Sequence, residues 1–253
     1  MREALARFSV FDSERGTDLR QLAVSDAGDW PVADLDMHKM LETVTGLAAG
    51  LDQGPVHAFL GGDNAITRPI VRGAHRIDRV GILTFDAHHD VRTTEAGPTN
   101  GSPIRGLIED GLPDGRVVQI GIHSFANSAE YRSYCDEHRI EIITMEQVDG
   151  GDVGEIVWRA LERLAEDVDA IHVDVDVDVL DSAFAPGCPG ARPGGMTPRQ
   201  LAAACRASGA HPAVTSVDFV EVDPTRDRDG VTIMNTASAF LAFASGLTSR
   251  EAS

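Results

Sequence analysis

Aspartates recur at every second position in one valine-rich stretch of this chain, from Ile171 to Leu180. Asp174, Asp176 and Asp178 alternate with valines there. Because side chains alternate across a β-strand, the three carboxylates are expected to point to one face. Like charges on an apolar strand repel each other and lose hydration, and no Lys or Arg lies within the stretch. The pattern therefore predicts a bound divalent cation.

A second motif, which combines imidazole with carboxylates, lies upstream at residues 81–92. Its apolar part ends in Asp86, His88 and Asp90, again spaced by two. These donors suit Mn, Fe, Zn or Ni better than Ca, which takes oxygen ligands alone, and the number of carboxylates favours Mn. Two strands also offer more ligands than one ion usually takes. Bridging by Asp86 and Asp176 would let two ions share them, as in two-metal hydrolytic sites.

Both motifs need a scaffold that holds them side by side, and the hydrophobic pattern predicts one. Apolar runs alternate with helix-period segments, which is typical of an α/β fold with a parallel sheet and right-handed crossovers. The runs are nearly continuous in apolar residues, so both faces of the sheet are expected to be covered. The predicted strands are 56–62, 80–86, 117–122, 140–144, 170–177 and 214–220. The predicted helices are 36–51, 66–76, 129–138, 153–165, 197–208 and 236–247.

Polar motifs follow these apolar runs rather than precede them. In a parallel sheet, ligands bind beyond the carboxyl ends of the strands, so the motifs are expected to meet at one edge. They lie at residues 61–64, 86–90, 122–125, 176–181 and 221–224.

Composition limits the partners and the organisation of the chain. It has 253 residues, and with no linker or repeat in the pattern we expect a single domain over residues 1–253. The net charge of −18 argues against nucleic acid as a partner. Three scattered cysteines without a CxxC motif argue against a disulfide framework. With no apolar run of ~18 residues and no signal-like amino terminus, we expect no membrane partner and a cytoplasmic protein.

The assembled motifs resemble those of the ureohydrolase family of arginase, agmatinase and formimidoylglutamase. Within the family the chain is most similar to formimidoylglutamase, on the segments 97–111 and 121–131. The resemblance implies a three-layer αβα fold with a mostly parallel central sheet, a pair of Mn ions, and hydrolysis of an amidine or guanidine C–N bond. The family motifs are GGDN (61–64), DAHHD (86–90), DVDVLDSAFAPG (176–187) and VEVDP (220–224).

The resemblance also implies roles for single residues. Asp178 would accept a proton from the attacking water and pass it to the leaving nitrogen. Glu221 would hydrogen-bond the amidinium and place its carbon. The implied metal ligands are Asp86 and Asp176 as bridges, His88 and Asp178 at one ion, and Asp90 and Asn64 at the other.

Two positions depart from the family pattern. Most members carry His where Asn64 stands, and because Asn is a weaker, neutral oxygen ligand, we expect it to loosen one of the two ions. Asn100 stands where arginase and agmatinase carry a proton-shuttling His. Formimidoylglutamases often lack that His too, so Asn100 favours this subfamily and is a candidate substrate-binding residue.

The implied substrate, N-formimidoyl-L-glutamate, carries two carboxylates, so its pocket needs cations. Arg92 follows the DAHHD motif and Arg105 lies in SPIRG, and either could bind a carboxylate through two hydrogen bonds. A salt bridge to a local acid is the alternative for each. His123 follows a strand and either lines the pocket or serves a structural role.

The leading hypothesis is a cytoplasmic, Mn-dependent formimidoylglutamase of histidine degradation, which converts N-formimidoyl-L-glutamate and water to L-glutamate and formamide. One alternative is another ureohydrolase, an agmatinase or a guanidino-acid hydrolase. A second alternative, motivated by Asn64, is a catalytically weakened ureohydrolase-like binding protein. The resemblance further implies a homo-oligomer, a trimer or a hexamer.

Overall fold

Six apolar strands form a parallel sheet at the centre of the structure, a computed structural model that describes residues 1–250. A separate two-stranded antiparallel hairpin lies near the amino terminus. In chain order the strands are β1 (Phe11–Asp12), β2 (Thr17–Asp18), β3 (His57–Leu60), β4 (Val80–Phe85), β5 (Val117–Ile122), β6 (Glu141–Thr144), β7 (Ala170–Asp176) and β8 (Val214–Val220).

Helices connect the strands of the sheet. Short 3-10 turns at Leu19–Gln21, Asn64–Ile66 and Val177–Val179 add to them. The α-helices are α1 (Arg2–Leu5), α2 (Met37–Ala49), α3 (Thr67–Ala74), α4 (Pro103–Glu109), α5 (Ala129–Glu137), α6 (Met145–Asp149), α7 (Val153–Ala165), α8 (Pro198–Ala210) and α9 (Val231–Leu247).

The helices cover both faces of the sheet, as the side chains of β4 illustrate. Leu83 and Phe85 are buried in one apolar cluster with residues of α7, α8 and α9. Val80 and Ile82 belong to a second cluster with residues of α3, α4 and α5. Because alternate residues of a strand face opposite sides, the two clusters are the two interfaces of the sheet. The expected three-layer αβα fold is confirmed.

The order of the strands brings the two aspartate motifs together. The sheet runs β3-β8-β7-β4-β5-β6, with all neighbours parallel. β4 and β7 are hydrogen-bonded neighbours, with Phe85 opposite Val175. The segments that follow them therefore leave the same edge of the sheet side by side.

The sequence pattern predicted most element bounds correctly and missed some elements. All six predicted strands of the sheet occur, with ends within two residues of the prediction. The last helix begins at Val231 rather than at residue 236. Helix α4 was not predicted, because it has only seven residues and contains Gly106, which weakens a helical pattern.

One expectation about the valine-rich stretch was wrong. The three aspartates do not share a strand, because β7 ends at Asp176 and a 3-10 turn over Val177–Val179 carries Asp178. The Asp176 carboxylate accepts a hydrogen bond from the backbone N–H of Asp178 at 2.8 Å, which starts this turn. The chain therefore bends where a longer strand was expected.

No helix in the part of the chain that the structure describes is long and apolar enough to span a bilayer. The single domain over residues 1–253 stays a prediction, and its last three residues lie outside the described ones.

Candidate metal centre

The candidate site lies at the carboxyl edge of the sheet, and short turns after the strands build it. After β3, Gly61 and Gly62 have φ values of 103° and 77°, a region that glycine adopts without strain. The backbone N–H of Glu221, after β8, donates to the Gly62 carbonyl at 2.9 Å. The Asp63 carboxylate then accepts from the Ala65 N–H at 2.7 Å and begins the turn that contains Asn64.

A first cluster of possible ligands consists of Asp86, His88 and Asp178, whose donor atoms all lie within 4.8 Å of one another. His88 Nδ1 is 2.7 Å from Asp178 Oδ2 and 3.6 Å from Asp86 Oδ1. Both aspartates are buried, and His88 is partly exposed. Carboxylates with one imidazole are a donor set that suits Mn²⁺ and similar ions.

A second cluster consists of Asp86, Asp90 and Asp176, again within 4.8 Å of one another. Asn64 adjoins it, with its Nδ2 2.6 Å from Asp90 Oδ2 and 3.3 Å from Asp176 Oδ2. Asp86 is common to both clusters, which is the arrangement expected of a carboxylate shared by two ions. Asp176 belongs to the second cluster alone.

The pKa values of the carboxylates reflect the concentration of negative charge. Burial, followed by repulsion from the other aspartates, raises the pKa of Asp86 and of Asp176 well above the usual range. Burial and the charge of Asp178 raise the pKa of Asp90 to about 7. A divalent cation would favour the ionised carboxylates, so its binding would release protons. The chemistry of these donors thus fits a metal centre.

Asp178 and His88 behave as an ion pair within this cluster. Burial alone would raise the pKa of Asp178, but the hydrogen bond and the charge of His88 outweigh it and lower that pKa. Burial would lower the pKa of His88, and the hydrogen bond to Asp178 outweighs it and raises that pKa. A cation at this position would take the place of the His88 proton.

Glu221 and Asn100 lie together beside the clusters. Glu221 Oε1 accepts from the Asn64 N–H at 2.8 Å and from Asn100 Nδ2 at 3.4 Å. Glu221 has a φ of 67° and Asp90 a φ of 53°, a left-handed conformation that is uncommon for residues with side chains and occurs often at functional sites. Burial raises the pKa of Glu221.

His123, after β5, contacts the turn that carries Asp178. Its Nε2 is 3.2 Å from the Val179 carbonyl, and its Nδ1 is buried without a hydrogen-bond partner among the described residues. Burial lowers the pKa of His123. The contact with Val179 fits the structural alternative, and the unpaired nitrogen fits a place in the pocket wall.

The two arginines singled out in the sequence differ in their surroundings. Arg105 pairs with Glu109 at 3.0 Å, and its guanidinium lies 4.7 Å from the ring centre of Tyr134. Arg92 is exposed, packs against Gly101, and is near enough to Asp90 to oppose the rise in that pKa.

Sequence reasoning missed a third arginine, Arg192. Its Nη1 donates to the carbonyls of Pro189, Gly190 and Ala191 at 3.3, 2.9 and 3.1 Å. Gly190 lies so close to the site that a Cβ there would be 2.3 Å from Asp178 Oδ2. The charge of Arg192 acts on the pKa of His88. Arg192 lies in the irregular loop between Asp178 and α8, where no periodic pattern signals its placement.

Asp174, the first aspartate of the valine-rich stretch, belongs to neither cluster. It lies opposite Asp218 in the sheet, fully buried, and neither carboxylate oxygen has a hydrogen-bond partner among the described residues. Burial and the charge of Asp218 raise its pKa well above the usual range. The spacing of two in the sequence could not show that Asp174 differs from Asp176, because both side chains lie on the same face of β7.

Comparison with known proteins places these features in context. Residues 1–245 match the profile of the Arginase family. Formimidoylglutamase of Halalkalibacterium halodurans is 38% identical over an alignment of 253 residues, which covers 97% of this chain and 79% of that protein. Guanidinopropionase of Pseudomonas aeruginosa is 35% identical over 216 residues, 83% of this chain and 67% of that protein. The crystal structure of formimidoylglutamase from Bacillus subtilis superposes with a TM-score of 0.92 at 32% identity, covering 99% of this chain and 80% of that one.

Proposed function

This chain belongs to the arginase family, and from that premise we propose that it is a metal-dependent formimidoylglutamase. It hydrolyses the C–N bond of N-formimidoyl-L-glutamate to give L-glutamate and formamide. The observation that carries the proposal is the buried cage in which Asp86 is common to two ligand clusters. The similarity to formimidoylglutamases along nearly the whole chain supports the choice of substrate.

Two Mn²⁺ ions are the proposed cofactors. Asp86, His88 and Asp178 would hold one of them; Asp86, Asp90, Asp176 and Asn64 would hold the other, with Asp176 as a second proposed bridge. When bound, such ions lower the pKa of a water molecule so that hydroxide is available near neutral pH.

Asp178 and Glu221 are the proposed catalytic residues. The Asp178 carboxylate, buried beside His88, accepts the proton of the attacking water and returns it to the leaving nitrogen. The Glu221 carboxylate is oriented by the Asn64 N–H and the Asn100 amide. It accepts hydrogen bonds from the amidinium and places the carbon for attack.

The two substrate carboxylates need cations, and the structure favours Arg92 and Arg192 over Arg105. Arg105 already binds Glu109, whereas the Arg192 guanidinium donates only to carbonyl groups within the described residues. Arg192 also adjoins Asp178 through Gly190. Arg192 and Arg92 are therefore the proposed carboxylate-binding residues, with Asn100 and His123 as further contacts.

Substitution of the arginines tests this assignment. A charge-assisted hydrogen bond contributes about 1.5–3 kcal/mol, so Arg192→Ala and Arg92→Ala are each expected to raise KM for formimidoylglutamate at least about ten-fold. Arg105→Ala is expected to change KM less, because Glu109 already occupies that guanidinium. Steady-state kinetics of formamide release gives all three values. The assignment is wrong if neither Arg192→Ala nor Arg92→Ala changes KM.

A substrate comparison tests the function itself. The purified protein, loaded with Mn²⁺, is assayed with N-formimidoyl-L-glutamate, agmatine, L-arginine and 3-guanidinopropionate, and formamide and urea are quantified. Formamide release from formimidoylglutamate alone supports the proposal. Urea release from 3-guanidinopropionate alone would favour the guanidino-acid alternative, which the similarity to guanidinopropionase supports. A protein that binds no metal and hydrolyses none of the four compounds would favour the alternative of a weakened binding protein.

Histidine degradation is the proposed source of the substrate, because formimidoylglutamate contains six carbons and an N–C–N unit, which correspond to the carbon skeleton and both ring nitrogens of histidine. The cytoplasmic location and the assembly into trimers or hexamers stay predictions.

A further inference from the structure

The orientation of the Asn64 side chain raises a problem for metal binding. Its amide nitrogen faces the carboxylates of Asp90 and Asp176, and its carbonyl oxygen faces Thr67 Oγ1 at 2.9 Å. In this orientation the NH₂ group donates to both carboxylates, and the carbonyl oxygen accepts from the Thr67 hydroxyl. An amide nitrogen offers no lone pair to a cation. Asn64 can therefore act as a ligand only when the two ends of its amide exchange places.

Thr67 is the residue that can accommodate this exchange. It begins α3, is fully buried, and its hydroxyl lies within hydrogen-bond distance of two acceptors, Asn64 Oδ1 at 2.9 Å and Asp218 Oδ2 at 2.8 Å. A hydroxyl has a single proton, so it donates to one of them at a time. When it donates to Asp218, its lone pairs face Asn64 and can accept from an NH₂ group.

Asp218 is held in place for this role by a buried chain of hydrogen bonds. His172 Nε2 is 3.2 Å from the same Oδ2 atom, and His172 Nδ1 is 2.7 Å from Ser216 Oγ. Ser216 Oγ is also 2.7 Å from His75 Nε2. Asp218, His172 and Ser216 are fully buried. An acceptor for the Thr67 proton is therefore always in position.

We infer that Thr67 and Asp218 are positioning residues that let Asn64 present either end of its amide to the Asp90–Asp176 carboxylates. The NH₂ end faces them when Thr67 donates to Asn64, and the carbonyl end faces them when Thr67 donates to Asp218. The inference rests on the proposed function in one respect, since the cation concerned is the second ion of the proposed pair. The first cluster, Asp86, His88 and Asp178, has no hydrogen bond to Thr67 or Asp218 within the described residues.

Removal of the Thr67 hydroxyl then has a defined effect. Thr67→Val removes the partner of Asn64 in both orientations: the one seen here loses an acceptor's partner, and the metal-binding one leaves a buried NH₂ group unpaired. An unpaired buried donor is less well tolerated than an unpaired carbonyl, so the metal-binding orientation loses more. Binding of the second ion is expected to weaken about ten-fold or more, while the first ion binds as before. Thr67→Ser keeps the hydroxyl and is expected to bind both ions within about three-fold of the parent protein.

A histidine at position 64 separates this role from a general structural one. The imidazole nitrogen of Asn64→His needs no amide exchange, so Thr67→Val is expected to matter less than about three-fold in that background. Thr45→Val serves as the matched control, because the Thr45 hydroxyl on α2 is buried without a hydrogen-bond partner among the described residues. It removes the same atom from a helix packed against α3 and is expected to leave both ions unaffected.

The experiment is a Mn²⁺ titration of the full chain after removal of metal with a chelator. Isothermal titration calorimetry, with the electron paramagnetic resonance of free Mn²⁺ as a second readout, gives the two dissociation constants without reference to activity. Selective weakening of the second ion in Thr67→Val, rescued by Thr67→Ser and suppressed in the Asn64→His background, supports the inference.

Equal weakening of both ions, equal weakening in both backgrounds, or no change in Thr67→Val overturns it. Binding of a single ion, or of none, by the parent protein overturns it as well. Two-step binding with the expected Thr67 dependence, in a protein that does not hydrolyse formimidoylglutamate, would overturn the proposed function and leave the inference intact.

Discussion

Each of the two metal motifs opens with an aspartate that shapes its own turn. Asp86 Oδ1 accepts from the His88 N–H at 2.6 Å, and Asp176 Oδ1 accepts from the Asp178 N–H at 2.8 Å. Such side-chain turns bend the chain directly after the strand. The residue two positions on is thereby brought into the site by a turn, not by the alternation of a continued strand.

Asp86 is the residue whose removal should affect both ions. Asp86→Asn keeps an oxygen that can accept from the His88 N–H but removes one charge common to both clusters. Loss of a group that only hydrogen-bonds a metal ligand typically lowers metal affinity roughly 10–100-fold. Loss of a charge common to both clusters is expected to lower it further. Elemental analysis and formamide release measure the loss. Asp26→Asn, in an exposed turn closed by Gly28, is the control, and an equal loss there would contradict the prediction.

His75 should make stability depend on pH. Burial, then the neighbouring His172 and His57, lower its pKa from 6.5 to about 3. Between pH 6.5 and about pH 3, His75 is therefore protonated in the unfolded chain but not in the folded one. The free energy of unfolding therefore falls as pH falls from about 6.5 to about 3, by up to about 1.4 kcal/mol per pH unit, and the contribution is complete above pH 6.5.

Urea unfolding at several pH values measures this dependence. His75→Gln is expected to have a smaller slope than the parent protein over the same range. His38→Gln replaces an exposed histidine on α2 and is the control. Parallel slopes for the parent protein and His75→Gln would show that another group causes the acid sensitivity.

At the scale of elements, close packing of α8 on α9 depends on two glycines. A Cβ on Gly209 would lie 2.0 Å from the Phe243 carbonyl oxygen, and a Cβ on Gly246 would lie 2.2 Å from that of Arg206. The two backbones therefore approach each other without intervening side chains. These helices cover one face of the sheet and so support the strands that carry the site.

Gly209→Ala should accordingly destabilise the fold, whereas Gly46→Ala should not. Forcing a methyl group into the α8–α9 contact is expected to cost about 1–3 kcal/mol. Gly46 lies inside α2 with open space around its Cα, so alanine there is expected to stabilise by about 0.5–1 kcal/mol. Denaturant unfolding of both variants gives the two values. If Gly209→Ala and Gly46→Ala have the same free energy of unfolding, the α8–α9 contact accommodates a methyl group without loss of stability and the prediction is wrong.

For the whole molecule, the buried carboxylates couple metal binding to stability. The chain carries a net charge of −18, because acidic residues outnumber basic ones. Four of its aspartates are buried within the two ligand clusters. An ion that binds the folded chain and not the unfolded one stabilises the fold by mass action. At 100 times its dissociation constant the gain is about 2.7 kcal/mol.

Mn²⁺ should therefore raise the thermal midpoint by about 5–10 °C for a chain of this size. Differential scanning calorimetry with Mn²⁺ and with a chelator measures the shift. Asp86→Asn should lose most of it, since it lacks the charge common to both clusters. A shift of equal size in Asp86→Asn would indicate that Mn²⁺ acts on the surface instead.

Local sequence patterns were sufficient to predict the fold class, the strands of the sheet and the approximate place of the site. These features depend on local patterns: continuous apolar runs predict strands covered on both faces, and polar motifs at their carboxyl ends predict a common edge. Asp86, His88, Asp90, Asp176 and Asp178 come together as this reasoning predicts. Their binding of metal stays a proposal.

The neighbours of each polar group, in contrast, depend on the three-dimensional path of the chain. It separates Asp174 from Asp176, brings Arg192 to the site and places Thr67 between Asn64 and Asp218. Each of these contacts joins segments that lie far apart in the chain or a turn that breaks a regular pattern. Their distances are set by the strand order and by the paths of the loops, which no local periodicity encodes.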